Sequence, residues 1–400
     1  MKNFLPAYSV AAAVAIFAWT DARADAWTDV VAEARGQEVA FNAWAGAPAI
    51  NAYIAWVADE VDRRFAIDLT HVKITDAADA VARIVAEKAA GRTADGSVDL
   101  LWVNGENFHA LKRQDLLYGP FAFDLPNFDR VDTEAKPTTL VDFTVPTEGY
   151  ESPWGMAQLV VLHDTRAVPA PPATLTELGA WIAANPGRFA YPAPPDFIGT
   201  TFLKQVLIDT VDDPAVLAEP VAAADPAAVT APLWAWLDAA TPHLWRGGRA
   251  YPADGQALHQ LLDDGEIFYS LSFNPGEASQ LIDAGRLPAT VRTFTFETGT
   301  LANTHFVAIP FNSGATAAAR VVANFLLSPE AQARKQNPEI WGDPTVLDVD
   351  ALPAEDQARF EALPRGVATL PPAAMGPARA EPHPSWVDWL EREWQRRYGS

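Results

Sequence analysis

The fold is decided by residues 38–103, which open with the run EVAFNAW and close with the run VDLLWV. Between these runs, apolar residues recur at helical spacing, then in alternation, then at helical spacing again. The pattern predicts strands at 38–44, 67–74 and 98–103 and helices at 49–65 and 76–90. In this β-α-β-α-β order the strands form a parallel sheet, and the loops that follow them share one edge.

Elements of both kinds return after a proline-rich segment at 118–153. The apolar run WGMAQLVVLH at 154–163 is predicted to cross between two lobes. Beyond it the sequence predicts helices at 175–185, 202–207, 233–244, 255–263, 315–327 and 385–397 and strands at 189–192, 267–273, 292–296 and 304–309. We expect an α/β protein with lobe one at 25–155 plus 275–325, lobe two at 156–274, and a helical tail at 326–400 packing on the lobes.

The composition excludes several classes of function. Lys and Arg total 29 against 51 Asp and Glu, a formal net charge of −22 in 400 residues, and nucleic acids and anionic membranes attract basic patches instead. The chain has no cysteine, which excludes disulfides, thiolate metal sites and a cysteine nucleophile. No Walker loop, G-x-S-x-G elbow or H-E-x-x-H motif is present. We therefore expect no nucleic-acid partner, no metal and no cofactor.

The N-terminus has the pattern of a secretory signal peptide. Lys2 precedes an apolar run from Phe4 to Trp19, and Ala22-Arg23-Ala24 supplies a small-x-small cleavage site. The run is shorter than the roughly 20 apolar residues that a membrane span needs. We expect residues 1–24 to be removed and the mature protein to be a periplasmic monomer.

Polar and aromatic residues follow the predicted strands at six turns spread over both halves of the chain. In open α/β sheets, ligands bind at the carboxyl ends of strands, and a helix start can hold a ligand oxygen with its free amides. These turns predict one cleft lined from two lobes. The candidate ligand-binding residues are Asn42, Trp44, Gly46, Asn104, Glu106, Asn107, Trp154, Asp196, Gly199, Thr200, Thr201, Asn274, Glu277 and Asn303.

Each turn also has a purely structural interpretation. Trp44 could be a core residue and Gly46 could serve only its turn. Asn104 belongs to a common Asn-Gly turn pair, and Thr200-Thr201 could be no more than a helix cap.

The chain resembles the periplasmic solute-binding proteins of ABC importers, within the type 2 family that groups thiamine, polyamine and ferric-iron binders. The resemblance covers roughly residues 36 to 342. It implies two α/β lobes joined by crossing strands, with the ligand bound between them and closure by hinge bending. It departs from the ferric-iron members, because no neighbouring tyrosine pair appears. The segments that carry it are FNAWAG (41–46), LWVNGENF (101–108), SPWG (152–155), DFIGTTF (196–202) and NTHFVAIP (303–310).

The resemblance implies capture of a small organic solute for delivery to the permease and ATPase subunits of an importer. The indole faces of Trp44 and Trp154 and the acids Glu106, Asp196 and Glu277 favour a nitrogen-containing cation of thiamine or polyamine type. The Asn and Thr residues would suit a phosphate, sulfonate or carboxylate equally well. The alternative function is a secreted hydrolase of saccharides or esters that uses the same acids as paired carboxylates.

Overall fold

The computed structural model describes residues 26–371 and 374–399, so the predicted signal peptide lies outside the described residues. The strands are β1 (Glu38–Trp44), β2 (Asp68–Ile74), β3 (Leu100–Val103), β4 (Val141–Asp142), β5 (Val145–Pro146), β6 (Glu151–Gln158), β7 (Val160–Asp164), β8 (Tyr269–Ser272), β9 (Val291–Phe294), β10 (Thr300–Ala308) and β11 (Ala378–Arg379).

The helices alternate with these strands along most of the chain. They are α1 (26–34), α2 (Pro48–Phe65), α3 (Ala77–Ala89), α4 (Glu106–Lys112), α5 (Leu175–Ala184), α6 (Phe197–Thr210), α7 (Pro226–Ala240), α8 (Gly255–Asp263), α9 (Glu277–Asp283), α10 (Thr316–Leu326), α11 (Pro329–Gln336), α12 (Ala354–Glu361) and α13 (Ser385–Tyr398). Short 3₁₀ turns lie at Ala122–Asp124, Pro126–Arg130, Pro137–Thr139, Pro214–Ala218, Val221–Ala223, Thr241–His243, Trp245–Gly248 and Val349–Ala351. Within the described ranges, none of these helices is both long enough and apolar enough to cross a bilayer.

The first sheet contains the predicted parallel wind. Strand β1 pairs in parallel with β2 on one side and with β3 on the other. Strand β10 pairs antiparallel to β3 and to β6, and β11 adds a short parallel ladder at the start of β10. The loops after β1, β2 and β3 therefore lie along one edge of the sheet, as the sequence predicts.

The second sheet is smaller and fully antiparallel, in the order β8-β7-β9. The strand predicted at 189–192 is wrong, because this segment makes its backbone hydrogen bonds to loops. The Phe189 carbonyl accepts from the Trp245 amide at 2.8 Å, and Pro192 has no amide to donate to a ladder. We call the part built on the first sheet lobe one and the part built on this sheet lobe two.

The chain crosses between the sheets twice in its strands. Strands β6 and β7 are separated only by Leu159 yet belong to different sheets, and residues 295–299 connect β9 to β10. Apolar clusters cover both faces of the first sheet, and a third cluster surrounds β7 and β8 with α6 and α7. Trp386, Leu390 and Trp394 of α13 join that third cluster, so the end of the tail is packed on lobe two.

Candidate functional site

The lobe one side of the site is built at the carboxyl ends of β1, β2 and β3. Trp44 ends β1 and is 38% exposed. Its backbone partner across the parallel ladder is Ile74 of β2, and Asp76 follows as the side-chain cap of α3. Glu106 begins α4 directly after β3. The edge of the sheet therefore presents an indole and two carboxylates.

Glu106 is the most perturbed solvent-accessible acid of this edge. Part of its side chain reaches solvent, yet desolvation by the surrounding protein raises its pKa to about 7. Lys204 lowers the pKa of Glu106, whereas the carboxylates of Glu391 and Asp76 raise it. Asn107 donates from its side-chain amide to the Glu106 carboxylate at 3.2 Å. The pKa of Glu106 therefore depends on charges in lobe one, in α6 and in the C-terminal helix.

A hairpin of strands β4 and β5 lies against the turn that begins α4. The Gly105 amide donates to the buried Asp142 carboxylate at 2.6 Å. Gly105 has a φ of +64°, and a Cβ there would lie 2.7 Å from the Phe143 ring, so only glycine fits. Burial raises the pKa of Asp142 well above its usual range, Glu106 and Glu381 raise it further, and the Gly105 amide and Lys204 oppose the increase.

Lobe two contributes Lys204 from the middle of α6. Its side chain is 2% exposed, and its ammonium lies 2.7 Å from a Glu381 oxygen. The same Nζ lies 4.7 Å from the centre of the Phe143 ring and 5.7 Å from that of Phe197. An ammonium flanked by carboxylates and aromatic faces is the arrangement that proteins use to hold organic cations.

The C-terminal tail contributes two more acids. Glu381 is buried and accepts from the Asn303 side-chain amide at 3.3 Å. Glu391 on α13 accepts from the Thr200 hydroxyl at 2.8 Å. Burial raises the pKa of Glu391, the acids Asp388 and Asp76 add to the increase, and Thr200 and Lys204 oppose it.

We call Glu106, Asp142, Glu381, Glu391 and Lys204 the Lys204 cluster. The cluster contains four carboxylates and one ammonium. Its members come from lobe one, lobe two and the tail. Buried polar oxygens without a partner lie beside it: one carboxylate oxygen of Asp142, the Asn303 amide oxygen, and the Thr201 hydroxyl three residues before Lys204. The cluster therefore has both excess negative charge and unused hydrogen-bonding capacity.

Several predicted site residues meet at this cluster. Glu106 is a member, and the others contact its carboxylates directly or lie beside it on α6. Trp44 ends β1 and Asn104 directly follows the neighbouring strand β3. Gly46 lies under the Trp44 ring, where a Cβ would collide with the indole. The residues at or beside the cluster are Glu106, Asn107, Thr200, Thr201 and Asn303.

Two predicted residues are fully buried within lobe one, and their role in ligand binding stays a prediction. Asn42 is fully buried, where its side chain accepts from Arg83 and donates to the Ala40 carbonyl. Trp154 is also fully buried. Its ring stacks on Tyr53 at 6.3 Å and packs edge-on against Trp102 at 5.0 Å. Its position on β6 turns the indole into the core of lobe one, so Trp154 has a packing role.

Three other predicted residues, Asp196, Gly199 and Asn274, are engaged in hydrogen bonds or close packing with their surroundings. Asp196 accepts from the amides of Ile198 and Gly199, which caps α6 and uses the amides expected to hold a ligand oxygen. A Cβ at Gly199 would collide with the Pro192 carbonyl, so this glycine is required for packing. Asn274 accepts from the Gly276 amide at 2.9 Å and donates to the Trp341 carbonyl at 3.2 Å.

Glu277 has its own buried network. Its carboxylate lies 3.3 Å from His259 and accepts from Ser272 and Gln256. Burial favours a higher pKa for Glu277, but His259, Ser272 and Gln256 outweigh it and lower the pKa. Glu277 lines an open groove of about 490 Å³ between α2 and α9.

Sequence reasoning missed Lys204, Glu381, Glu391, Asp142 and Phe143. One signal in the sequence was available for Lys204, because it lies in the largely apolar run GTTFLKQVLI at 199–208. The structure buries this whole run. A lysine in such an apolar run needs a buried partner. Within the described part of the chain, no group of three or more His, Asp or Glu residues is arranged to hold a metal ion.

Comparisons with known proteins agree with this architecture. Residues 56–358 match the family model described as "bacterial extracellular solute-binding protein". Protein YnjB of Escherichia coli (strain K12) is 50% identical over 374 residues, which covers 94% of each chain.

Two solved structures are similar in fold. The periplasmic binding protein AfuA from Actinobacillus pleuropneumoniae, with exogenous fructose-6-phosphate bound, matches with a TM-score of 0.62 at 12% identity, over 90% of this chain and 98% of that one. PotD, the substrate-binding protein of a spermidine/putrescine ABC transporter from Streptococcus pneumoniae, matches with a TM-score of 0.60 at 14% identity, over 91% and 100%. The predicted two-lobed, type 2 α/β fold is confirmed.

Proposed function

Because this chain belongs to the bacterial extracellular solute-binding protein family, we propose that it captures a small nitrogen-containing organic cation between its lobes. The observation that carries the proposal is the charge of the Lys204 cluster, in which one ammonium pairs with Glu381 and interacts electrostatically with the other three carboxylates. Burial, followed by repulsion from neighbouring carboxylates, makes those three hold their protons more tightly. A cationic solute would restore their ionised forms and gain charge-assisted hydrogen bonds.

The aromatic surroundings of Lys204 support a cation over a neutral solute. The Lys204 ammonium lies over Phe143 and near Phe197, and Phe197 is 46% exposed, so part of its ring is open to a ligand. Trp44 at the end of β1 offers a second exposed ring. Thiamine-like or polyamine-like compounds carry the charges that such rings and carboxylates bind. PotD, of the same fold, comes from a spermidine/putrescine transporter.

The start of α6 argues against an anionic solute. A phosphate or carboxylate would use the free amides at this helix start, but Asp196 already accepts from two of them. An anion would also face the carboxylates of Glu106 and Glu391. A sugar phosphate, the ligand in the AfuA structure, is therefore the competing chemistry that the test must include.

We propose capture without chemical conversion of the solute. A hydrolase would need paired acids in the cleft. Two of the acids predicted for such a pair are engaged elsewhere, because Glu277 pairs with His259 and Asp196 caps α6. Glu106 with Glu391 is the pair that remains, and the turnover test below decides whether it acts on a solute. The remaining parts of the proposal follow the family: export to the periplasm with cleavage after Ala24, a monomer that closes by hinge bending near Leu159 and residues 295–299, and delivery to an ABC permease and its ATPase.

The test is a ligand screen by thermal shift followed by calorimetry. The mature protein is screened against thiamine, spermidine and putrescine, with fructose-6-phosphate and citrate as the anionic arm. A ligand at a hundred times its Kd stabilises the fold by about 2.7 kcal/mol, or roughly 3 °C in Tm for a chain of this length.

We expect at least one cation to bind one-to-one and to be recovered unchanged. Glu106→Gln should weaken it about tenfold to a hundredfold. If only the anionic compounds bind, the proposal of a cationic solute is refuted. If any compound is converted, the proposal of capture without conversion is refuted.

A further inference from the structure

The C-terminal tail is attached to lobe two over its whole last helix. The Trp394 indole donates to the Tyr191 hydroxyl at 2.9 Å, and the Trp386 indole donates to the Glu219 carbonyl at 3.0 Å. Just before α13, the His383 amide donates to the Leu217 carbonyl at 2.7 Å. A closing motion of the lobes would therefore carry α13 with lobe two.

The same tail reaches lobe one at the rim of the cleft. The His383 ring packs edge-on against the ring of His109 on α4, with centroids 5.3 Å apart. Glu391 interacts electrostatically with Asp76, the cap of α3, and with Glu106, the first residue of α4. The tail thus borders the cleft beside α4, and Glu391, held by the Thr200 hydroxyl of α6, is its acid within electrostatic range of Glu106.

We propose that Glu391 is a specificity-determining residue of the solute site, whose carboxylate binds the same cationic group as Glu106 from the tail. The inference rests on the proposed function. Glu391 is only half-buried and uses one oxygen for Thr200, so its other oxygen can accept from a ligand. The unpartnered Thr201 hydroxyl and Asn303 amide oxygen, both more than nine-tenths buried, supply further acceptors beside it.

This arrangement gives the solute charge a structural consequence. Without a cation, Glu106 and Glu391 repel each other, and a bound cation replaces that repulsion by two attractions. The solute then joins α4 of lobe one to the tail on lobe two. The positive charge that the site selects is therefore also the group that holds the cleft closed.

The experiment compares four forms of the mature protein by calorimetry at pH 8, with spermidine and thiamine as probes. They are wild type, Glu106→Gln, Glu391→Gln and Glu393→Gln. Glutamine at 391 keeps an oxygen for the Thr200 hydroxyl, so a change in affinity reports the lost charge. Glu393 lies on the same helix and pairs with Arg396, which makes it the matched control.

We expect Glu106→Gln and Glu391→Gln each to weaken the bound probe about tenfold to a hundredfold, with Glu393→Gln within twofold of wild type. If Glu391→Gln matches Glu393→Gln while Glu106→Gln weakens binding, the role of Glu391 is refuted and the proposed function stands. If wild type binds neither probe, the cation proposal fails and this inference fails with it. Should Glu391→Gln not fold, Glu391→Asp withdraws the carboxylate by one methylene instead, and an unchanged Kd in that variant refutes the inference.

Discussion

The buried pair of Lys204 and Glu381 gives the sharpest stability prediction, because its two partners stand in unequal surroundings. Lys204 is near the carboxylates of Asp142, Glu106 and Glu391 as well as Glu381. Glu381 is bonded to Lys204 and to the Asn303 amide. Removing the lysine therefore deprives the whole cluster of its cation, whereas removing Glu381 leaves the lysine with other acids.

The magnitudes follow from burial. Removing one partner of a buried ion pair costs about 3–5 kcal/mol, and both side chains are 2% exposed or less. We expect Lys204→Met to lose about that much. Glu381→Gln removes the charge that pairs with Lys204 and that strengthens the hydrogen bond from Asn303, while the ammonium keeps its other acids, so we expect a loss of about 1.5–3 kcal/mol.

The assay is urea unfolding at pH 8, followed by tryptophan fluorescence and circular dichroism. Coincident transitions would justify a two-state free energy, and Glu393→Gln on the exposed pair with Arg396 should leave the midpoint unchanged. The Lys204→Met penalty should shrink at pH 6, because the carboxylates with raised pKa values then carry protons. A Glu381→Gln penalty equal to or larger than that of Lys204→Met would refute the reasoning.

Four further predictions test the electrostatics and the packing. Cation affinity should fall as pH drops through about 7, with proton release on binding, because Glu106 must ionise; Glu106→Gln should remove the pH dependence in calorimetry. The unliganded protein should melt lower at pH 8 than at pH 6, because acids such as Asp142 and Glu106 have pKa values raised above their unfolded values and bind extra protons when folded; a flat profile would contradict this. Trp154→Ala should cost about 3–5 kcal/mol in urea unfolding without changing which solutes bind. Gly199→Ala should lower Tm by several degrees, because its Cβ meets the Pro192 carbonyl; an unchanged Tm would contradict the packing.

The sequence predicts lobe one well because its signals are local. Strand β1 spans the predicted residues, and α2, β2 and α3 end within a residue or two of their predicted limits. Hydrophobic periodicity arises from neighbours in sequence, so it is readable without tertiary information. The failure at 189–192 has the opposite origin, because its backbone bonds go to residues more than fifty positions away.

The site is less predictable because its members are distant in sequence. Glu381 meets Lys204 across 177 positions, and no spacing rule connects a tail acid with a lysine in an apolar helix. The turns after strands place side chains such as Glu106 at the carboxyl edge of the sheet. They cannot tell an inward side chain from an outward one, and for that reason the burial of Trp154 is not predicted.

The excess of carboxylates over ammonium in the Lys204 cluster needs a physical reason, because uncompensated buried charge opposes folding. If stability alone shaped the cluster, apolar residues at Asp142 and Glu381 would serve it better. A binding protein has a different requirement, because a solute that binds the folded protein also stabilises it. Repulsion among the carboxylates can therefore remain until a matching solute binds. Burial and neighbouring carboxylates raise the pKa values of Glu106, Asp142 and Glu391, and on the proposed function a cation would relieve both effects. The same acids that weaken the empty protein at pH 8 should therefore be those that select a positively charged solute.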